Sequence, residues 1–397
     1  MRVSCLMTAL LVVLTAGSAY CSSQDQPCEI HASVGQSLQR VIDSAPEGSV
    51  ICLGAGTWTQ NLSIKKSVTI KGQGSANTTI RAYDEQGPVI KVSLDELVPV
   101  RVVLEDLEVL GRDRDDQPTV GISVDGISTF GAVSLEASAC LVSRGTVGIE
   151  LRNGAHAQVT DSVVNGSEGN GIHLGWYSQA ILTDTAITSS GGCGLLVEYS
   201  AQVTVRWCSL EENAADGLHI STSGPNSVVD TVIARNGLGS PSGEGCGIAL
   251  AGDVTITGTT IVENNGAGLA MLVGSTAYIS NSSVVRNGSH GMYMMDSTYA
   301  RIAQTEFNSN AGNGVELWAT AAAELLGNEV VGNERFGISL HESPCSTTVH
   351  HYFEGLVSGH GNVVAPMTGE QPNKRGAVCP EELSFLMTNE GGQLDRH

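Results

Sequence analysis

Five ionisable residues recur at a spacing that would place them on one surface: Glu150, Arg152, His173, Glu198 and His219. Glu150, His173 and His219 follow one another at steps of 23 and 46 residues, and Arg152 and Glu198 are 46 apart, so both sets fit one period of 23. Trp176 and Tyr199 share that period. Imidazoles beside carboxylates can take up and give back protons near neutral pH, which makes His173, Glu198 and His219 the candidate catalytic residues. Glu150, Arg152, Trp176 and Tyr199 are the candidate ligand-binding residues. Their mix of charges and flat rings suits hydrogen bonding to sugar hydroxyls and stacking on pyranose faces. The plainer alternative is an ordinary solvated sheet face.

No complete catalytic set assembles elsewhere. Hydrolysis of glycosides needs paired carboxylates at a set separation, and the Asp115, Asp116 pair falls far upstream in a charged turn. The chain resembles polygalacturonases only in Gly359, His360 and Gly361, and it lacks the alginate epimerase signature Asp-Pro-His-Asp. β-Elimination of uronates uses a basic side chain, yet Lys65, Lys66, Lys71, Lys91 and Lys374 all lie outside the regular repeats. Arg206, Arg235 and Arg286 are scattered. The run from Asp113 to Asp116 leaves calcium possible, although no full loop consensus follows. His341, His350, His351 and His360 fit no metal-ligand spacing, so no metal site is expected.

The elements that must position these residues are short strands. Gly148, Gly171, Gly194, Gly217, Gly247, Gly268, Gly291, Gly314 and Gly337 follow one another at steps of 23, 23, 23, 30, 21, 23, 23 and 23. An alternating apolar pair follows each Gly, from Ile149 and Leu151 to Ile338 and Leu340, which is the period of a half-buried strand. A second apolar column runs Cys140, Val164, Ile187, Leu210, Ile233, Ile261, Val284, Phe307 and Val330. Asn213, Asn236, Asn264, Asn287, Asn310 and Asn333 stand three residues beyond it. Asn tolerates left-handed backbone at a tight corner, and its amide can bond to the same amide one coil away. Equal positions must lie over one another to bury these columns. That is met by a right-handed parallel β-helix, an all-β solenoid with coils about 4.8 Å apart. A Gly/Ser-rich insertion falls within Gly237 to Cys246.

The open ends of such a stack need covers. A capping helix is expected at about 37–45, with Leu38, Val41, Ile42 and Ala45 on one face and Pro46 ending it. Regular coils are expected over 148–364 within a β-helix spanning 28–366. A C-terminal cap and tail take up 367–397, with 388–397 disordered. Disulfides Cys28–Cys52 and Cys345–Cys379 would restrain the two ends. Cys193 and Cys246 share a column two coils apart, too far to bridge. Residues 1–21 read as a signal peptide, with Arg2, an apolar run from Leu6 to Leu14 and small residues from Ala16 to Ala19. A secreted protein, extracellular or periplasmic, is therefore expected. Lipid anchoring through Cys21 is the lesser alternative, because Tyr20 precedes it. No later run is long and apolar enough for a spanning helix. The formal net charge of -21 argues against nucleic acid and would repel polyanionic sugars at long range.

The run from Ser37 to Gly74, with Ile42 to Pro46, Leu53 to Trp58 and Val68 to Gly72, resembles the opening of pectate-lyase-like β-helix proteins. The coils from Gly148 to about Val364 are similar to repeats of the same superfamily, including periplasmic copper-accessory proteins. That resemblance implies the fold. It leaves function open, because the superfamily includes lyases, hydrolases, epimerases, adhesins and non-catalytic proteins. The reading favoured here is non-catalytic binding of a polysaccharide or a cell-surface partner. The alternative is a polysaccharide lyase or glycoside hydrolase using His173, Glu198 and His219.

Overall fold

A computed structural model describes residues 27–83, 87–94, 98–112, 119–126, 132–239, 245–342, 345 and 353–396. The proposed signal peptide, Cys21, Asp113 to Asp116, His350 and His351 lie outside these residues, as does the middle of the insertion.

Each regular coil contributes three short strands, one to each of three sheets. The coil that begins at Gly171 is representative. Ile172–Leu174 joins sheet 2, Gln179–Thr183 joins sheet 1 and Ala186–Thr188 joins sheet 3. Sheet 1 has 15 strands and sheets 2 and 3 have 13 each, in an order in which every third strand of the chain is a neighbour. All pairing within the coils is parallel and in register. Ile149, Ile172, Leu195 and Leu218 lie over one another, as do Leu151, Leu174, Val197 and Ile220. These residues are fully buried in one core that runs the length of the solenoid. Each such side chain contributes about 1.5–3 kcal/mol when removed from water.

The asparagine column is buried and continuous. In each step the Oδ1 of one Asn accepts from both the main-chain N–H and the Nδ2 of its predecessor, as Asn236 does from Asn213 at 3.1 and 2.9 Å. Nδ2 also donates to a main-chain carbonyl, that of Ile187 for Asn213. Asn373 extends the column beyond Asn333. The backbone explanation needs correction. The left-handed residue at each corner is the one before the Asn: Glu212, Arg235, Glu263, Arg286, Ser309 and Gly332. The Asn is selected because its amide satisfies the buried main chain that this corner frees.

Cys140 is also two residues from its expected column. Val142 pairs with Val164, whereas Cys140 sits at the preceding corner and donates its N–H to Ser162 Oγ at 3.1 Å. Cys208 repeats this toward Thr231, and Asn328 toward Asn362. Small polar residues dominate that column because they cap the preceding coil's amide.

The caps follow the same physics. The helix Leu38–Ser44 starts at Ser37, whose side chain accepts from the Arg40 N–H, and buries Leu38 and Ile42 over the first coil. Disulfides Cys28–Cys52 and Cys345–Cys379 are formed, with Cα separations of 5.7 and 5.6 Å, while Cys140, Cys193, Cys208 and Cys246 stand outside any disulfide. The solenoid runs further than expected. Gly376–Cys379 pairs with Phe336–Leu340 in sheet 2. The tail expected to be disordered forms the strand Gly392–Asp395, antiparallel to Leu356–His360, after a 3-10 turn at Glu381–Met387 that buries Leu383 and Leu386. An antiparallel strand covers the open edge of sheet 1 and follows no repeat period, which is why the pattern does not reveal it. No helix of the described residues is long and apolar enough to cross a membrane.

Candidate functional site

The outer face of sheet 2 carries the column Glu150, His173, Leu196, His219, Ala249, Ala270, Tyr293, Glu316, Ser339, each residue beside the next through parallel pairing. Two clusters of carboxylates and imidazoles stand on it.

The first cluster is the predicted one. His173 lies between two carboxylates, with Nε2 3.1 Å from Glu198 Oε1 and Nδ1 3.7 Å from Glu150 Oε1. Arg152 pairs with Glu150. Glu150 holds His173 above the usual imidazole range, against burial, and Glu198 adds to the effect. Burial acts to raise the Glu150 carboxyl, but the bonds from His173 and Arg152 outweigh it and leave it below the usual range.

Trp176 and Tyr199 occupy equal corners of successive coils. Their rings stack with centroids 4.6 Å apart and planes 12° from parallel, and they are 52% and 51% exposed. Both have left-handed backbone, with φ of 50° and 53°, a conformation that costs a bulky residue roughly 1–2 kcal/mol. Gly175 joins this platform to His173. A Cβ there would lie 3.6 Å from His173 Nε2 and 3.8 Å from Tyr199 Cδ2. Glu150, Arg152, His173, Glu198, Trp176 and Tyr199 therefore form one continuous surface.

His219 does not belong to that network. Its Nδ1 is 3.0 Å from Asp216 Oδ2, one turn of chain away, and Leu196 separates it from His173 in the column. Cys193, Asp216 and His219 bring a thiol, a carboxylate and an imidazole within 4.8 Å of one another, a combination of ligand types that no local sequence motif announces. Burial, then the charge of Asp216, pushes the Cys193 thiol up to about 11.

The second cluster was not singled out from the sequence. Glu316 lies between His290 and His341, with Oε2 2.9 Å from His290 Nε2 and Oε1 2.9 Å from His341 Nδ1. His290 Nδ1 accepts from the Asn313 N–H at 3.0 Å, so Nε2 is the nitrogen that donates to Glu316. Trp318 stacks on His341 at 3.8 Å and 16°. The indole N–H of Trp318 is buried without a protein partner. Burial would raise the Glu316 carboxyl, but His290 and then His341 hold it at about 2. Tyr293, Glu316, Trp318 and His341 are visible in the outward columns. His290 sits at the corner before Gly291, where the strand period gives no direction.

The basic candidates fall elsewhere. Arg235 pairs with Glu211 and Glu212, and Arg286 with Glu263, at exposed corners far from either cluster. The insertion leaves and rejoins the coil at Gly237 and Gly245. These approach so closely that a Cβ on Gly245 would fall 1.9 Å from Gly237 Cα.

The sequence matches the family described as "Right handed beta helix region" over residues 119–253 and 230–352. This chain is a member of that right-handed β-helix family. No curated protein matches the sequence. Among solved structures it is similar to the A-module of the mannuronan C-5 epimerase AlgE4 of Azotobacter vinelandii. The identity is 17% and the TM-score 0.54, covering 86% of this chain and 91% of that one. It is also similar to the catalytic domain of a GH87 α-1,3-glucanase variant in complex with nigerose, at 12% identity and TM-score 0.55, covering 86% and 70%. A third similar structure is the enzymatically active domain of tailspike protein 2 of bacteriophage CBA120, at 14% identity and TM-score 0.51. It covers 77% of this chain and about half, 48%, of that one. At these identities the likeness establishes the right-handed fold and nothing about the site.

Proposed function

We propose that this β-helix is a secreted carbohydrate-binding protein that holds a polysaccharide along the outer face of sheet 2. Trp176 and Tyr199 are the platform, and Arg152, His173 and Glu198 supply the hydrogen bonds. The observation that carries the reading is the stacked aromatic pair, half exposed beside a polar cluster. An unenclosed face suits a polymer laid across the coils, and two disulfides suit an oxidising compartment. The names of the similar structures mention mannuronan and nigerose, which supports a saccharide as ligand. With a net charge of -21, a neutral glycan is favoured over a polyuronate.

Binding is favoured over cleavage because the two carboxylates of the cluster are engaged by one imidazole and by Arg152 rather than set apart as acid and nucleophile. One observation supports the enzymatic alternative: an imidazole between two carboxylates can shuttle a proton. A glycan array of neutral and anionic polysaccharides, with assays for new reducing ends and unsaturated uronates, separates the two. The binding reading expects retention of neutral glycans without new ends. Turnover lost in His173→Ala or Glu198→Gln would replace it with the enzymatic one. No retention of any glycan would sink both.

A further inference from the structure

We propose that Cys193, Asp216 and His219 form a binding site for a zinc-class divalent cation, with three protein ligands and a fourth position open to solvent. The carbohydrate reading is not needed for this. Cys193 and Asp216 are equal residues of successive coils, each just before the coil's Gly, and His219 stands on the strand Leu218–Ser221 that Asp216 leads into. Their donor atoms, a sulfur, a carboxylate oxygen and an imidazole nitrogen, lie within 4.8 Å of one another, and Asp216 Oδ2 is 3.0 Å from His219 Nδ1. Donors around a tetrahedral zinc are roughly 3.3–3.7 Å apart, given metal–ligand bonds of about 2.0–2.3 Å. Side-chain adjustment of about 1 Å would therefore close the site, without movement of the strands.

Two hydrogen bonds of the coil column hold the ligands in place. The carboxylate is aimed from behind, because its other oxygen, Oδ1, accepts from the Cys246 N–H at 2.8 Å. Outer contacts of this kind fix ligand geometry in metal sites. The Cys193 main chain is fixed as well, since its N–H donates to Asn170 Oδ1 at 2.9 Å. The ligand types then choose the metal. A thiol with an imidazole and a single carboxylate suits zinc and its borderline-soft relatives and is wrong for calcium or magnesium, which take oxygen donors. The side chains of Asp216 and His219 are 15% and 27% exposed, so an ion can enter.

The test uses the full disulfide-bonded chain titrated with cobalt(II), whose bond to thiolate gives a near-ultraviolet charge-transfer band. The expected result is one cobalt per chain, displaced by zinc, with that band present. Cys193→Ser should abolish the band. Asp216→Asn and His219→Ala should weaken binding by at least about tenfold. Cys208→Ser, which removes a free thiol at another corner, should change nothing. Thermal melting without metal checks that each variant is folded. Absence of the band in the wild type, its survival in Cys193→Ser, or its loss in Cys208→Ser would each overturn the site.

Discussion

Glu150 and Glu316 stand in the same outward column of the same sheet, seven coils or roughly 34 Å apart, and each contacts histidine. Glu316 is enclosed by two imidazoles and a stacked indole, and its carboxyl has no free direction. Glu150 and Glu198 share one imidazole, and the cluster opens onto two rings that project into solvent. Identical residue types at equivalent positions thus give a plug in one place and a contact surface in the other. The aromatics differ in what they stack on: Trp318 lies against His341, whereas Trp176 and Tyr199 lie against each other and stay half exposed.

Removing the buried acceptor shared by two imidazoles should produce the largest effect. Glu316→Ala should lower stability in chemical denaturation by about 3 kcal/mol, whereas Glu150→Ala should cost clearly less because its partner Arg152 is half exposed. Equal losses would mean that both clusters are structural. The asparagine column comes next. Asn264→Ala leaves the Asn236 N–H and the Ile233 carbonyl without the bonds Asn264 supplies and should cost about 1–3 kcal/mol.

Acidity acts with opposite sign on the Glu316 carboxyl and the His173 imidazole. The Glu316 carboxyl, held at about 2, contributes stability that is full above the ordinary carboxylate value near 4.5. That contribution is lost as pH falls from there toward about 2. His173 behaves oppositely. Its raised value stabilises the fold fully below the free-imidazole value of 6.5, and the gain is lost as pH rises through the folded value. Acid unfolding of Glu316→Ala and NMR titration of His173 measure the two limbs. The smallest expected effect is a gain. Trp176→Gly should raise stability by about 1 kcal/mol through relief of left-handed strain while it weakens ligand binding. A loss of stability would show that the ring supports the fold.

The regular coils were legible because every coil repeats a Gly, an alternating apolar pair and a corner amide. The earlier coils were not, since their sheet 2 strands Leu62–Ile64, Ile90–Ser93 and Ile122–Asp125 are joined by longer, unequal connections. Column arithmetic placed Glu150, His173 and Glu198 together because strand residues point where their parity sends them. It failed for His219 and His290, whose contacts are made around a corner. The same blindness hid the partnership of Cys193 with Asp216.

The most direct test of a saccharide-binding face is a calorimetric titration of wild type and the Trp176→Gly, Tyr199→Gly double variant with a neutral polysaccharide retained in the array. The double variant should remain folded and bind at least about tenfold more weakly, a loss of about 1.4 kcal/mol. Unchanged affinity in a folded double variant would contradict the account.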